Sequence, residues 1–169
     1  MYKLGFINPM KKTLVSILLS LFLLSQFSYA EISDELLIDS AHQDLNYKER
    51  TLYFSGNVTV TQGNLSITAE ELFVETSEDG TSEKLIAKGS PAMFKQKGLN
   101  SQDVSSRASE IIYLVEQKIL KLNGNAVFQQ GGSEVSSDTI EFDLTAQRVK
   151  AEGDKEQGGR VTTRLKIKK

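Results

Sequence analysis

Residues 39–74 and 107–142 align with each other without a gap. In that alignment Gly56-Asn57 falls on Gly124-Asn125, Gln62-Gly63 on Gln130-Gly131, Glu70 on Asp138, and Leu72 and Val74 on Ile140 and Phe142. A fainter half-copy lies between the two, where Leu85, Ala87 and Gly89 repeat the spacing of Leu52, Phe54 and Gly56. Another follows at Val149, Ala151 and Gly153. Glycines 56, 89, 124 and 153 thus punctuate the chain about every thirty residues, a period that signals stacked supersecondary units, none able to bury its apolar face alone. Function in such a chain belongs to the stack rather than to one pocket.

Within the repeats the apolar period is two. Leu52 and Phe54, Val58 and Val60, Leu65 and Ile67, and Leu72 and Val74 alternate with Thr, Ser, Gln and Glu, as strands with one dry and one wet face do. The same alternation covers Leu36 and Ile38, Leu45 and Tyr47, Leu120 and Leu122, Ala126 and Phe128, and the terminal run Val161, Thr163, Leu165 and Ile167. No helical stripe competes with it. The inward phase passes through Gly56 and Gly124 without slipping, so each is expected to mark a sharp bend where a side chain would strike a facing sheet. Near Pro91 the phase slips between Ala87 and Phe94, which a bulge turning Phe94 inward would explain. Gln62-Gly63-Asn64 and Gln130-Gly131-Gly132 read as turns. The fold class is therefore all-β: a jelly-roll-like sandwich of two antiparallel sheets, roughly sixteen short strands at about 4.8 Å spacing over roughly 40 Å, with open ends.

The N-terminus carries an export pattern. Lys11 and Lys12 precede an apolar run from Leu14 to Leu24, and Ser28-Tyr29-Ala30 offers small residues at a peptidase site, so cleavage before Glu31 is expected. The charge-free stretch from Thr13 to Gln26 is short for a span, which needs about 20 apolar residues. Met10 is an alternative start. The expected division is residues 1–30 as signal peptide and 31–169 as one β domain. Cleavage removes three of the 20 basic residues and no acid, leaving 17 against 22 and a net charge of −5, which argues against nucleic acid as a partner. The absence of cysteine excludes disulfides, so pairing and packing must hold the domain together.

Other chemistry is thin. His42 has no second histidine or cysteine to complete a metal site and reads as solvated. Glu70 and Glu71 are neighbours on a strand, point to opposite faces and cannot flank one bond, so no catalytic residue, metal or cofactor is expected. Lys84, Lys88, Lys95, Lys97, Arg148 and Lys150 could meet phosphates but read first as a solvated face.

The run from Leu52 to Gly63, the later Leu122-Asn123-Gly124-Asn125-Ala126 with Gln129-Gln130, the stretch Gly89-Ser90-Pro91-Ala92-Met93-Phe94 and the closing Arg160-Val161-Thr162-Thr163 resemble the LptA (OstA-like) periplasmic lipopolysaccharide transport proteins of Gram-negative bacteria. The resemblance covers nearly all of residues 32–167. It implies a non-enzymatic, twisted β-jelly roll in the periplasm that joins head to tail and carries lipopolysaccharide from the inner-membrane complex to the outer-membrane translocon. It further implies LptC at the N-terminal edge and the N-terminal domain of LptD at the C-terminal edge. On this reading the edge residues are Leu36, Leu37 and Ile38 at one end and Val161, Thr163 and Leu165 at the other. Ile32, Leu36, Ile38, Leu45, Phe54, Phe94, Leu120 and Leu122 are the candidates for acyl-chain contact, and each could equally be plain core. The rival reading is a secreted structural or adhesive β-repeat protein without lipid cargo.

Overall fold

The computed structural model describes residues 35–80, 83–99, 102–154, 156 and 158–166. The expected signal peptide, Ile32 and Ile167 lie outside them. Among the described residues there are ten strands: β1 (Leu37–Asp39), β2 (His42–Asn46), β3 (Thr51–Gln62), β4 (Leu65–Thr76), β5 (Glu83–Leu99), β6 (Gln102–Leu114), β7 (Ile119–Gln130), β8 (Ser133–Asp143), β9 (Arg148–Glu152) and β10 (Thr162–Arg164). All belong to one antiparallel sheet in which β3 to β8 follow one another as a meander. At one end β1 pairs with 59–61 of β3 and β2 with 51–55 of the same strand. At the other end β9 pairs with 139–143 of β8 and β10 with 134–136.

The two layers expected from the sequence are the two halves of this one sheet. Every pairing between successive long strands slips at mid-length: between Ser55 and Val58, Thr68 and Glu71, Lys88 and Ala92, Arg107 and Glu110, and Asn123 and Ala126. Bulges aligned across neighbouring strands bend the whole sheet along one line. The first layer holds β2, β9 and the strand halves next to the turns at 47–50, 115–118 and 144–147. The second holds β1, β10 and the halves next to the turns at 63–64 and 131–132. Six long strands bent in two, with four short ones, account for the roughly sixteen segments expected.

Side chains from both layers interlock. Phe94 of the second layer meets Tyr113 of the first at 6.5 Å between ring centroids, and Phe128 meets Phe142 at 4.7 Å, both tilted as aromatic quadrupoles prefer. One core cluster runs through both halves, with Leu72, Leu85, Ile111, Leu120, Leu122, Phe94 and Phe142 all at 0 % exposure, so the interior is closed to solvent along its middle. The inward phase continues through the bend in β3 and β7. It slips in β5, where Leu85 and Ala87 precede the bend and Ala92 and Phe94 follow it, so Phe94 does turn inward.

The unslipped strands are those with the Gly-Asn pair. Gly56 and Asn57 both take positive φ, 83° and 51°, as do Gly124 and Asn125 at 77° and 51°. Asparagine tolerates the left-handed region better than most residues and glycine adopts it freely. The reason for glycine differs from the sequence expectation in one respect. A Cβ on Gly56 would lie 2.7 Å from the Ala41 Cβ, and one on Gly124 would lie 3.0 Å from Ser109 Oγ. These are neighbours along the fold line of the same sheet, not the facing layer; the Ala41 N–H donates to the Gly56 carbonyl at 3.0 Å. Gly89 and Gly153 serve close approaches without positive φ, to the Pro91-Ala92 backbone and to Gly159 respectively.

Gly124→Ala should cost about 1–2 kcal/mol from the left-handed backbone alone, and Gly124→Leu should not yield soluble folded protein. Gly56→Ala should cost more, and adding Ala41→Gly should recover the steric part. Chemical denaturation of the four proteins of that cycle would show a coupling of at least about 0.5 kcal/mol; strict additivity would contradict the packing described.

Candidate functional site

Bending one sheet across its strands leaves two ends, and each end carries two short edge strands, one per layer. At the N-terminal end these are β1 and β2; at the C-terminal end they are β10 and β9. Of the proposed edge residues, Leu36 and Ile38 have the inward phase and pack half-buried against the core, while Leu37 faces out at 64 % exposure. At the other end Thr163 pairs with Val135, whose side chain packs on the core, and Val161 and Leu165 flank β10 on either side. Both are exposed. The C-terminal edge thus carries two large apolar side chains left uncovered. Among the described residues 160–166 only Thr162–Arg164 are strand, so the terminal strand expected to run on from Val161 through Leu165 is shorter in fact.

The candidate acyl-contact residues divide into two groups. Phe54, Phe94, Leu120 and Leu122 are buried members of the central core, and Leu36, Ile38 and Leu45 are half-buried at the N-terminal mouth. The first group lies where the layers touch; the second lines an end. Tyr47, expected to continue the inward phase of Leu45, instead lies in the turn after β2 at 79 % exposure. With Arg50, Leu52 and 76–80 it borders a cleft of about 410 Å³ on the first layer's rim. Burial pushes the Tyr113 hydroxyl above the usual phenol range, so it stays neutral between the layers.

Charge separates the two ends. Residues 35–46 contain Glu35, Asp39 and Asp44 and neither lysine nor arginine, whereas 160–166 contain Arg160, Arg164 and Lys166 and no acid. Arg164 Nη1 donates to Glu134 Oε1 at 2.5 Å, and Gln129 Nε2 donates to Glu134 Oε2 at 2.7 Å. The hydrogen bonds from Gln129 and Arg164 hold the Glu134 carboxyl below the usual range. Elsewhere Lys84, Lys88 and Lys150 pair with Glu75, Glu110 and Glu141 at 3.0, 3.7 and 3.4 Å, as a solvated face would. Glu71 accepts from the Tyr53 hydroxyl at 3.0 Å while Glu70 is exposed beside it. Among the described residues no three His, Cys, Asp or Glu side chains gather as a metal site would require.

Because the Glu134 carboxyl is depressed, its contribution to holding β10 is present above the unfolded carboxylate pKa and is lost as pH falls through the folded value. Glu134→Gln should speed hydrogen exchange at the β10 amides that bond to β8 at neutral pH and leave β4 to β6 unchanged. The stability difference from wild type should close in acid. Equal exchange in both proteins at neutral pH would show that this pair does not anchor β10.

The profile of the family described as "LptA/(LptD N-terminal domain) LPS transport protein" matches residues 37–148. The chain is 35% identical over 129 residues to the lipopolysaccharide export system protein LptA of Escherichia coli strain K12, covering 76% of this chain and 69% of that protein. It is 29% identical over 137 residues to LptA of Haemophilus influenzae, covering 80% and 78% of the two chains. The crystal structure of LptH, the LptA-homologous periplasmic component of the lipopolysaccharide transport device of Pseudomonas aeruginosa, superposes with a TM-score of 0.74 at 21% identity, over 80% of this chain and 98% of that one. This last likeness establishes the shared fold.

Proposed function

The chain belongs to the LptA/LptD N-terminal domain family of lipopolysaccharide transport proteins, and on that premise we propose that it is a periplasmic carrier that passes lipopolysaccharide along its interior from one copy or partner to the next. The observation that carries this reading is the apolar interior that runs between unlike ends, with Leu36 and Ile38 half-buried at one edge and Val161 and Leu165 exposed at the other. An acyl chain leaving such an interior for water would lose about 0.8 kcal/mol per methylene, whereas transfer into an equivalent interior is close to neutral. A relay of like units therefore needs its ends in register and unsealed. The push must come from outside the domain, since the sequence carries no phosphate-binding loop.

Strand direction supports head-to-tail joining. Each layer contains an even number of antiparallel strand segments, so β10 of one copy runs antiparallel to β1 of the next, and β9 to β2, when copies stack without a flip. Joining unlike edges is a heterologous contact that does not close on itself and so extends. The acidic N-terminal edge and the basic C-terminal edge attract one another, which selects that order over edge-to-like-edge pairing. The resemblance to the LptA family implies LptC at the N-terminal edge, with Leu36 and Ile38, and the N-terminal domain of LptD at the C-terminal edge, with Val161 and Leu165. The matched family profile spans both LptA and that LptD domain, so the edge it would offer is built on the same plan.

The middle of the interior is filled by Phe94, Tyr113, Phe128 and Phe142. Entry of acyl chains then requires the layers to part and exchange these contacts for contacts with lipid.

Photo-crosslinkers at Leu36 and Phe94 should capture lipopolysaccharide in cells making it, and crosslinkers at the outward Thr68 and Lys95 should not; capture only from the outward pair would remove the interior path. Self-association of the purified domain should weaken with salt. Arg160→Glu with Lys166→Glu should weaken it further, and Asp39→Lys should partly restore it. A protein that self-associates in this way but takes up no lipopolysaccharide would instead be a structural repeat.

A further inference from the structure

The last ladder of the second layer before its turns is unbroken across six strands. Gln62 of β3 stands opposite Leu65, Leu65 opposite Gln96 of β5, Gln96 opposite Val104, Val104 opposite Gln130 of β7, and Gln130 opposite Ser133. Glutamine thus recurs on every second strand, and the step along the chain from Gln62 to Gln96 equals that from Gln96 to Gln130. With neighbouring strands about 4.8 Å apart, successive glutamines stand about 9.6 Å apart along the layer.

All three have the inward phase, set by Val58 and Val60, by Ala92 and Phe94, and by Ala126 and Phe128. All three are half-buried. Solvation does not account for them, because the wet face of the same strands is already served by the outward Thr61, Lys95 and Gln129. The middle copy is the most telling. Gln96 Oε1 is buried and accepts no hydrogen bond, although buried polar groups in folded proteins are nearly always paired. The next row inward is Val60, Ile67, Phe94, Ser106, Phe128 and Val135. Polar rim thus gives way to a mainly apolar interior within one pleat.

We propose that Gln62, Gln96 and Gln130 form a rail that binds the linkage zone of a multi-acyl glycolipid, the amide and ester groups joining its chains to its sugars, while the chains lie against the apolar row behind. A side-chain amide carries both a donor and an acceptor, and so can meet an ester carbonyl, an amide N–H or a chain hydroxyl in turn. Equal spacing offers the cargo equivalent stations. The inference rests on the carrier reading above and adds to it the residues that set how deeply the lipid sits.

The test compares wild type, Gln96→Leu and the triple variant Gln62→Leu, Gln96→Leu, Gln130→Leu. Each is titrated with lipopolysaccharide and with a fluorescent long-chain fatty acid, which has a chain but no amide or ester linkage. The triple variant should bind lipopolysaccharide at least about tenfold more weakly, the scale of a few lost hydrogen bonds, and bind the fatty acid within about twofold of wild type. Gln96→Leu alone should weaken lipopolysaccharide binding while raising the melting temperature, because it removes an unpaired buried oxygen. This single variant keeps the test open if the triple one does not fold. Wild-type affinity for lipopolysaccharide in both variants would overturn the rail and leave the carrier reading standing. A wild type that binds the fatty acid but no lipopolysaccharide would overturn both.

Discussion

The contact between the two halves of the bent sheet is the constraint on which the rest depends. Each of β3 to β8 contributes one half to each layer, so neither layer can form without the strands of the other. A two-sided antiparallel sheet with one apolar face has to cover that face, and here it covers it with itself. The bulges make the turn possible; the packing of Phe94 on Tyr113 and Phe128 on Phe142 makes it favourable. Folding across the strands, rather than rolling along them, also decides where the edges go. A barrel would pair its first and last strands and abolish them. This fold leaves β1 and β2 at one end and β9 and β10 at the other, each pair bracketing the interior.

Much of this is legible in the sequence, and the exceptions have identifiable causes. Period-two alternation reports which side chains face inward in a strand segment, and it does so correctly for Leu52 to Val60 and Leu120 to Phe128. It does not report which segments are continuous. Leu65, Ile67 and Leu72, Val74 look like two strands because the phase slips at Thr68 to Glu71, yet they are the two halves of β4. The repeated Gly-Asn pair advertises the bend, and its partners Ala41 and Ser109 are small residues at one position of the same alignment, but only the register shows that they lie against the glycines. Tyr47 follows the alternation of Leu45 and still leaves the strand, because Asn46 pairs with Thr51 and residues 47–50 form the turn that joins β2 to β3.

The candidate site was legible in the same uneven way. Both edge strands lie where the terminal alternating runs put them, with β10 shorter than its alternation suggested. The split between packed core and half-buried mouth was not visible, because alternation gives a side chain's phase and says nothing of depth. The glutamine row was half visible: Gln62 and Gln130 fall together when 39–74 is laid on 107–142. Gln96 hides because the half-copy changes step across the bend, Leu85 lying nearer in sequence to Leu52 than Gln96 does to Gln62. The phase slip at Gly89 to Pro91 that turns Phe94 inward is the same slip that puts Gln96 in the row.

In the carrier role proposed above, the domain faces opposing demands on one interior. It must be apolar enough to hold several acyl chains, yet hold them no more tightly than its neighbour does. Making the packed interior from the same side chains that would touch lipid meets both demands. Chain–protein contacts replace protein–protein contacts of similar density, so much of the gross gain on loading is offset by what the layers give up. The repeat extends this balance along the axis, since Val60, Phe94 and Phe128 stand on alternate strands of one row at equal sequence intervals, as the glutamines in front of them do. A path whose stations repeat in kind has no deep trap along it, and in such a path direction can be imposed only at the ends.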